Sequence, residues 1–154
     1  VTYAGQFPCH HIRIFNNKTG NTYHGRGICL IGEDLECYNN TTDTTDGAGI
    51  IITSEKSNNT GNPRRVTVRN NVVYRSGQDT VKNQAGIHIG GYGSTTNTVT
   101  DTFVYDNRIE YPKSDAIRID EGSDRTTLRG NTAIGLPTGK KLIDQSGGTN
   151  VVIQ

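Results

Sequence analysis

A six-residue unit occurs five times in this chain: an apolar residue or Thr, any residue, an apolar residue, any residue, a turn-forming residue and Asn. The copies begin at Ile12, Leu35, Val66, Thr102 and Thr126 and end at Asn17, Asn40, Asn71, Asn107 and Asn131. Apolar residues at alternate positions, followed by a turn signal, predict a short strand with one buried face. The residue before each final Asn is Asn, Asp or Gly, and these residues tolerate a left-handed backbone best.

A second motif follows each copy of the first: a small residue, an apolar residue, any residue and another apolar residue. It begins at Gly27, Gly49, Gly86 and Ala116, and in a weaker form at Lys141. Successive final Asn residues are 23 to 36 residues apart. A minimum repeat with insertions of variable length is typical of a solenoid, in which each coil keeps a fixed core and tolerates loops. We therefore expect stacked coils of strands and no helix.

The repeated Asn has a physical explanation in such a stack. Coils that lie about 4.8 Å apart place equivalent residues in columns along the axis. An inward-pointing amide can then donate to the amide of the next coil and to the turn backbone. The sequence thus predicts an internal asparagine ladder.

These two motifs resemble the repeat of the right-handed parallel β-helix found in the pectate-lyase-like superfamily, over residues 10 to 154. The resemblance implies an all-β fold of about five coils, with the Asn at the turn between the second and third strands. It also implies that the Gly-Ile-x-Ile segment is the first strand, whose outer face commonly carries the active site. No single enzyme family is matched, since Arg118-Ile119-Asp120 only partly resembles the Arg-Ile-Lys of polygalacturonase-like hydrolases and their other motifs are absent.

The composition fits one domain, residues 1 to 154, with a thin core: 31% of the residues are hydrophobic. The chain has sixteen basic and fifteen acidic residues, so no net charge attracts nucleic acid or a membrane. The chain starts almost directly in a coil, and its last residues, 150 to 154, resemble the start of a sixth. We expect a segment of a longer β-helix, or ends covered by further β-helix chains.

Stacking of the second motif predicts three columns of outward residues, whose polar members cluster on coils three to five. The middle column is Cys29, Ile51, His88, Arg118 and Ile143; the next is Ile31, Thr53, Gly90, Asp120 and Asp144; the nearer one is Arg26, Ala48, Ala85, Asp115 and Lys140. The residues predicted to be catalytic are His88, Arg118 and Asp120; those predicted to bind substrate are Lys82, Tyr92, Asp115, Glu121 and Asp144; Asn58 is the predicted glycosylation site.

This group of residues suits an acidic polysaccharide. A lyase needs an Arg or a bound cation such as Ca²⁺ to neutralise the uronate, and a His, Lys or Arg base. A hydrolase needs two carboxylates instead. No cofactor is certain from the sequence, and no metal site is predicted at His10-His11, because adjacent strand residues point to opposite faces.

Two questions stay open at the level of sequence. The first is whether the chain is a secreted or surface carbohydrate-active enzyme, or a non-catalytic solenoid of a fibre, adhesin or appendage whose outward charges only solvate the surface. The second is whether Cys9 and Cys29 form a disulfide, since the cysteine count is odd.

Overall fold

A computed structural model of the chain describes residues 9–55, 62–79, 81, 84–92 and 99–154, without the side chains of residues 55, 91 and 92. All regular structure in these ranges is β-strand, as the sequence predicts. No helix in these ranges is long and apolar enough to cross a membrane.

The described strands form three sheets, and every pair of neighbouring strands is parallel. The first sheet contains β1 (His10–Phe15), β4 (Glu33–Tyr38), β7 (Arg64–Arg69), β10 (Val99–Tyr105), β13 (Ser123–Arg129) and β16 (Gly148–Ile153). The second contains β2 (Lys18–Thr22), β5 (Thr41–Thr45), β8 (Val72–Tyr74), β11 (Arg108–Glu110) and β14 (Thr132–Ile134). The third contains β3 (Ile28–Leu30), β6 (Ile50–Glu55), β9 (Ile87–Tyr92), β12 (Ile117–Ile119) and β15 (Ile143–Asp144).

The chain visits the three sheets in turn, so each circuit is one coil of a parallel β-helix. Each coil lies in register on the last: Leu35 pairs with Ile12 on one side and with Val66 on the other. The final strand, β16, pairs with β13 and begins the predicted sixth coil.

The core is a set of apolar columns along the axis. Ile50, Ile87 and Ile117 stack directly on one another and are fully buried. Burial of one such side chain contributes roughly 1.5–3 kcal/mol relative to exposure. Cys37, the third residue of the copy of the first motif that begins at Leu35, is also fully buried.

The first residue of the second motif has to be small because consecutive coils approach closely at this position. A Cβ added at Gly86 would lie 2.7 Å from the Ile109 side chain and 2.8 Å from the carbonyl oxygen of Ala116. In the first four coils this column consists of Gly27, Gly49, Gly86 and Ala116. The small residue thus lets consecutive coils pack at the sheet spacing.

The asparagine ladder is present. The Nδ2 of each ladder residue donates to the Oδ1 of the next: Asn17 to Asn40 at 3.0 Å, Asn40 to Asn71 at 3.0 Å, Asn71 to Asn107 at 2.9 Å and Asn107 to Asn131 at 3.0 Å. The residues before them have left-handed backbone: Asn16, Asn39, Asn70, Asp106 and Gly130. The sequence therefore predicted both the turn conformation and the direction of the amides.

Two further columns of left-handed residues were not predicted. One bends the strands of the first sheet and consists of His11, Asp34, Arg65, Asp101, Arg125 and Asn150. The other ends the strands of the second sheet and consists of Asn21, Thr44, Arg75, Tyr111 and Gly135. The bend at His11 also brings its ring to His10, with the two Nδ1 atoms 2.7 Å apart, so the expectation that these side chains face opposite ways was wrong.

The fifth coil is shifted by one residue from the predicted columns. Ile143 pairs with Ile117 and packs against the core, and Asp144 pairs with Arg118. Asp144, not Ile143, therefore belongs to the middle outward column. By the same shift, Lys141 rather than Lys140 lies beside Asp115, to which its backbone N–H donates.

Candidate functional site

The predicted site residues lie on the outer face of the third sheet. His88 pairs with Ile51 on one side and with Arg118 on the other, and Asp144 follows Arg118. Ile51 and His88 are both buried, with 1% and 7% of the residue surface exposed, so solvent does not reach this end of the column. The polar groups that remain accessible lie toward coils four and five.

His88 and Asp120 form a close pair. Nε2 of His88 lies 2.8 Å from Oδ2 of Asp120, and because the carboxylate accepts, Nε2 carries the proton. The His88 side chain is 9% exposed and that of Asp120 48%. Nδ1 of His88 is buried and has no hydrogen-bond partner among the described residues. Asp120, not His88, is therefore the group that faces solvent.

The backbone next to Asp120 makes this arrangement possible. Asp120 follows β12, and its N–H donates to the carbonyl oxygen of Ile89 at 2.8 Å. The neighbour in its column is Gly90, where an added Cβ would lie 2.8 Å from Cβ of Asp120. The glycine thus leaves the space in which the carboxylate turns toward His88.

The pKa of Asp120 is lowered. The hydrogen bond from His88 is the main cause; burial opposes it, and the charge of Arg118 adds to the lowering. Asp120 is thus a carboxylate at neutral pH, able to accept hydrogen bonds or a proton.

Arg118 is held by carboxylates. Its Nη2 donates to Oδ2 of Asp115 at 2.5 Å and to the hydroxyl of Ser114 at 3.3 Å. Its Nε lies 3.9 Å from Oδ2 of Asp144, which also accepts from Nζ of Lys141 at 3.2 Å. The Arg118 side chain is 12% exposed. The guanidinium is consequently fixed in direction, and two carboxylates lie within 4 Å of it.

Asp115 and Asp144 are both carboxylates in this network. Burial alone would raise the pKa of Asp115, but hydrogen bonds from the Lys141 amide and from Arg118 lower it overall. Burial likewise opposes the lowering of the pKa of Asp144, which comes from hydrogen bonds of Lys141 and Ser146. Asp115 is 4% exposed and both of its oxygens are occupied, so its position suits support of Arg118 rather than direct contact with a ligand.

The remaining predicted residues are less informative. Glu121 is exposed in the turn after Asp120. Tyr92 ends β9, but its side chain is outside the described part of the structure, and so are Lys82 and Asn58. Within the described ranges no group of three or more His, Cys, Asp or Glu side chains could hold a metal ion. None of Cys9, Cys29 and Cys37 takes part in a disulfide in the described part of the structure.

Sequence reasoning missed two members of the network, Ser114 and Lys141. The residue before Asp115 carried no pattern of its own, and Lys141 was hidden by the one-residue shift of the fifth coil. A partial signal for Lys141 was present in the sequence, because the predicted stacking places the Lys140-Lys141 pair next to Asp115.

Comparison with known proteins gives one family. The family described as "disaggregatase related" matches residues 32–152, which is most of the chain. No curated protein matches.

Proposed function

Because the chain belongs to the disaggregatase-related family, we propose that it acts outside the cell, or at its surface, on an acidic polysaccharide that holds aggregates together. The observation that carries this proposal is the 2.8 Å pair of His88 and Asp120 on an outward sheet face. The family name is the basis for proposing that the polymer holds aggregates together. The outer face of the third sheet is the surface along which we propose that a linear polymer lies. The likeness of the repeat to pectate-lyase-like β-helices supports the same class of polymer.

In the proposed reaction, Asp120 is the base and His88 is the residue that positions it. The Asp120 carboxylate removes the proton from the carbon that bears the uronate carboxyl group. The electron pair of that C–H bond forms a carbon–carbon double bond, and the glycosidic C–O bond at the next carbon breaks. The leaving oxygen takes a proton from water. Arg118 stabilises the negative charge that develops on the uronate from its fixed position.

Hydrolysis is supported less well than this elimination. A glycosidase needs one carboxylic acid with a raised pKa to protonate the leaving oxygen. The pKa values of Asp115, Asp120 and Asp144 are all lowered. None of the three carboxyl groups is therefore suited to the acid role at neutral pH.

A turnover assay tests the proposal. The chain is incubated, with and without Ca²⁺, with polygalacturonate, alginate or hyaluronan, and both the ultraviolet absorbance of unsaturated products and new reducing ends are recorded. We expect both signals to rise together for at least one polymer and to be lost in Asp120→Asn. Reducing ends without absorbance would indicate hydrolysis instead, and no signal of either kind would contradict the enzymatic proposal.

The second candidate is a non-catalytic solenoid that serves as a structural or binding element. The observation in its favour is that Arg118 is held by Asp115, Ser114 and Asp144, as in a network whose role is to stabilise the coil stack. This candidate predicts that Asp120→Asn leaves every function of the chain unchanged.

A further inference from the structure

The first sheet presents an outward face that the proposed reaction does not use. Phe103 stands in the fourth of its six strands, between Thr102 and Val104, which are both fully buried. Its side chain points outward and is 45% exposed. Its neighbours along the axis are Thr67 and Thr127, so no large side chain covers the ring. The fold itself gives no reason for an exposed aromatic ring at a position whose two neighbours in the column are Thr.

Four arginines surround this ring on the adjacent strands. Arg69 and Arg129 flank Tyr105, the next outward residue after Phe103. Arg65 and Arg125 lie on the other side, in the left-handed column at the strand bend. Phe103 is therefore an apolar platform between two pairs of arginine residues on the neighbouring strands.

The guanidinium groups are held in place by neighbouring side chains. Arg65 donates to both carboxylate oxygens of Asp34, at 2.5 and 2.9 Å, and Arg125 donates to both of Asp101, at 2.6 and 2.9 Å. Planar, paired contacts of this kind fix the orientation of an arginine. The positions of these cations are thus set before a ligand arrives.

Arg69 and Arg129 rest on tyrosine rings. The guanidinium carbon of Arg69 lies 4.2 Å from the Tyr38 ring centre, and that of Arg129 lies 5.3 Å from the Tyr105 ring centre. The nearest carboxylate to Arg69 is that of Glu36 at 3.8 Å. Arg129 has no carboxylate within 4.0 Å in the described part of the chain. Their charge remains available to an anionic ligand.

We infer that this surface, called here the Phe103 platform (Phe103 with Arg65, Arg69, Arg125 and Arg129), binds a linear acidic polysaccharide. An apolar ring face suits the C–H face of a sugar, and the surrounding guanidiniums suit its carboxylate or sulfate groups. The two outward columns through Phe103 and Tyr105 carry Arg13, Arg69 and Arg129 but only one carboxylate, Glu36. Arg65 and Arg125 are already paired with carboxylates (Asp34 and Glu33, Asp101 and Asp124). The positive charge open to a ligand therefore comes from Arg69 and Arg129, and it favours an acidic polymer over a neutral one.

The Phe103 platform lies on a different sheet from His88 and Asp120, so it is a second contact for the polymer rather than part of the proposed reaction site. The inference rests on the proposed function for the class of polymer alone. A polymer held at two faces would raise its effective concentration at the Asp120 face. Binding at the platform and turnover at Asp120 can therefore fail separately.

Gel retardation tests the inference. The folded chain is run in native gels that contain polygalacturonate, alginate or hyaluronan, with dextran as the neutral polymer. We expect Phe103→Thr and Arg129→Gln each to weaken the retardation by at least one acidic polymer about tenfold, and dextran to cause none. Thr is chosen because it occupies the same column at Thr67 and Thr127 and suits a strand.

The matched control is Phe15→Thr. Phe15 is an aromatic residue of the same sheet with the same exposure, 46%, but it stacks on Tyr38 and lies outside the four arginines. We expect it to change the affinity less than about twofold. Asp120→Asn should lose turnover and keep full retardation. Unchanged affinity in Phe103→Thr, equal retardation by dextran, or no retardation of the unaltered chain would each overturn the inference.

Discussion

The side-chain amide of Asn71 donates a hydrogen bond to Oδ1 of Asn107 at 2.9 Å, and both side chains are 1% exposed. Asn71 also donates to the carbonyl oxygen of Cys37 at 2.9 Å and accepts from the N–H of Asn40 at 2.9 Å. Each ladder residue therefore satisfies backbone groups of the coil before it. This relationship explains why a polar residue recurs inside a chain with so thin an apolar core.

We predict that Asn71→Ala lowers the free energy of unfolding by roughly 2–5 kcal/mol, because the N–H of Asn40 and the carbonyl of Cys37 would be buried without these partners. Urea titration measures the change. Asn70→Gly is the control, since Asn70 is exposed and already left-handed, with φ of 53°. Equal stability of the two variants would contradict the role of the ladder.

The ladder could be predicted because its function requires one residue type in every coil. The two other left-handed columns could not be predicted, because the residues at equivalent positions are chemically unrelated. One of these columns, for example, contains Asn21, Thr44 and Arg75. Their conformation is imposed by the stacking of coils and by the contacts of each strand with the next. Such tertiary effects leave no local sequence signal.

Thr44 is the residue least suited to its backbone. A β-branched side chain at φ of 48° is strained, and the hydrogen bond from its hydroxyl to Asp43 at 2.8 Å offsets the strain only in part. We predict that Thr44→Asn stabilises the chain by about 1 kcal/mol and that Asn21→Thr, the reverse change in the same column, destabilises it by about as much. Thermal unfolding of both variants tests this, and a loss of stability in Thr44→Asn would be inconsistent with strain at this position.

Stability should fall in acid partly through Asp115. Burial raises the pKa of Asp115, but the hydrogen bonds from the Lys141 amide and from Arg118 outweigh this effect, so the pKa is lowered in the folded chain. A carboxyl group with a lowered folded pKa contributes stability above its unfolded pKa of about 3.9, and that contribution is lost as the pH falls through the folded pKa. We predict a steep decrease below about pH 4, with a smaller slope in Asp115→Asn.

The control for this titration is Glu121→Gln, at an exposed position in the turn after Asp120. Its unfolding should follow the same pH curve as the unaltered chain. Parallel curves for the unaltered chain and Asp115→Asn would show that Asp115 does not contribute to the acid sensitivity.

The candidate site was only partly predictable for a related reason. Stacking of the second motif correctly placed His88 beside Arg118, since period-2 alternation fixes which residues share a face. The hydrogen bonds that give each residue its role depend on side-chain directions, which the alternation does not specify. The fifth coil was misplaced by one residue because Leu142 and Ile143 are both apolar, and either could have faced the core.

The most direct test of the account is the nuclear magnetic resonance signal of the His88 ring during titration with a uronate oligosaccharide. The chain has four histidines, so the loss of one signal in His88→Gln assigns it. A ligand at Asp120 replaces or bends the 2.8 Å hydrogen bond, and we predict a saturable shift of the His88 signal that neutral dextran oligosaccharides do not produce. An unchanged His88 signal, at concentrations where the oligosaccharide is cut, would contradict the claim that the His88–Asp120 pair is the site of action.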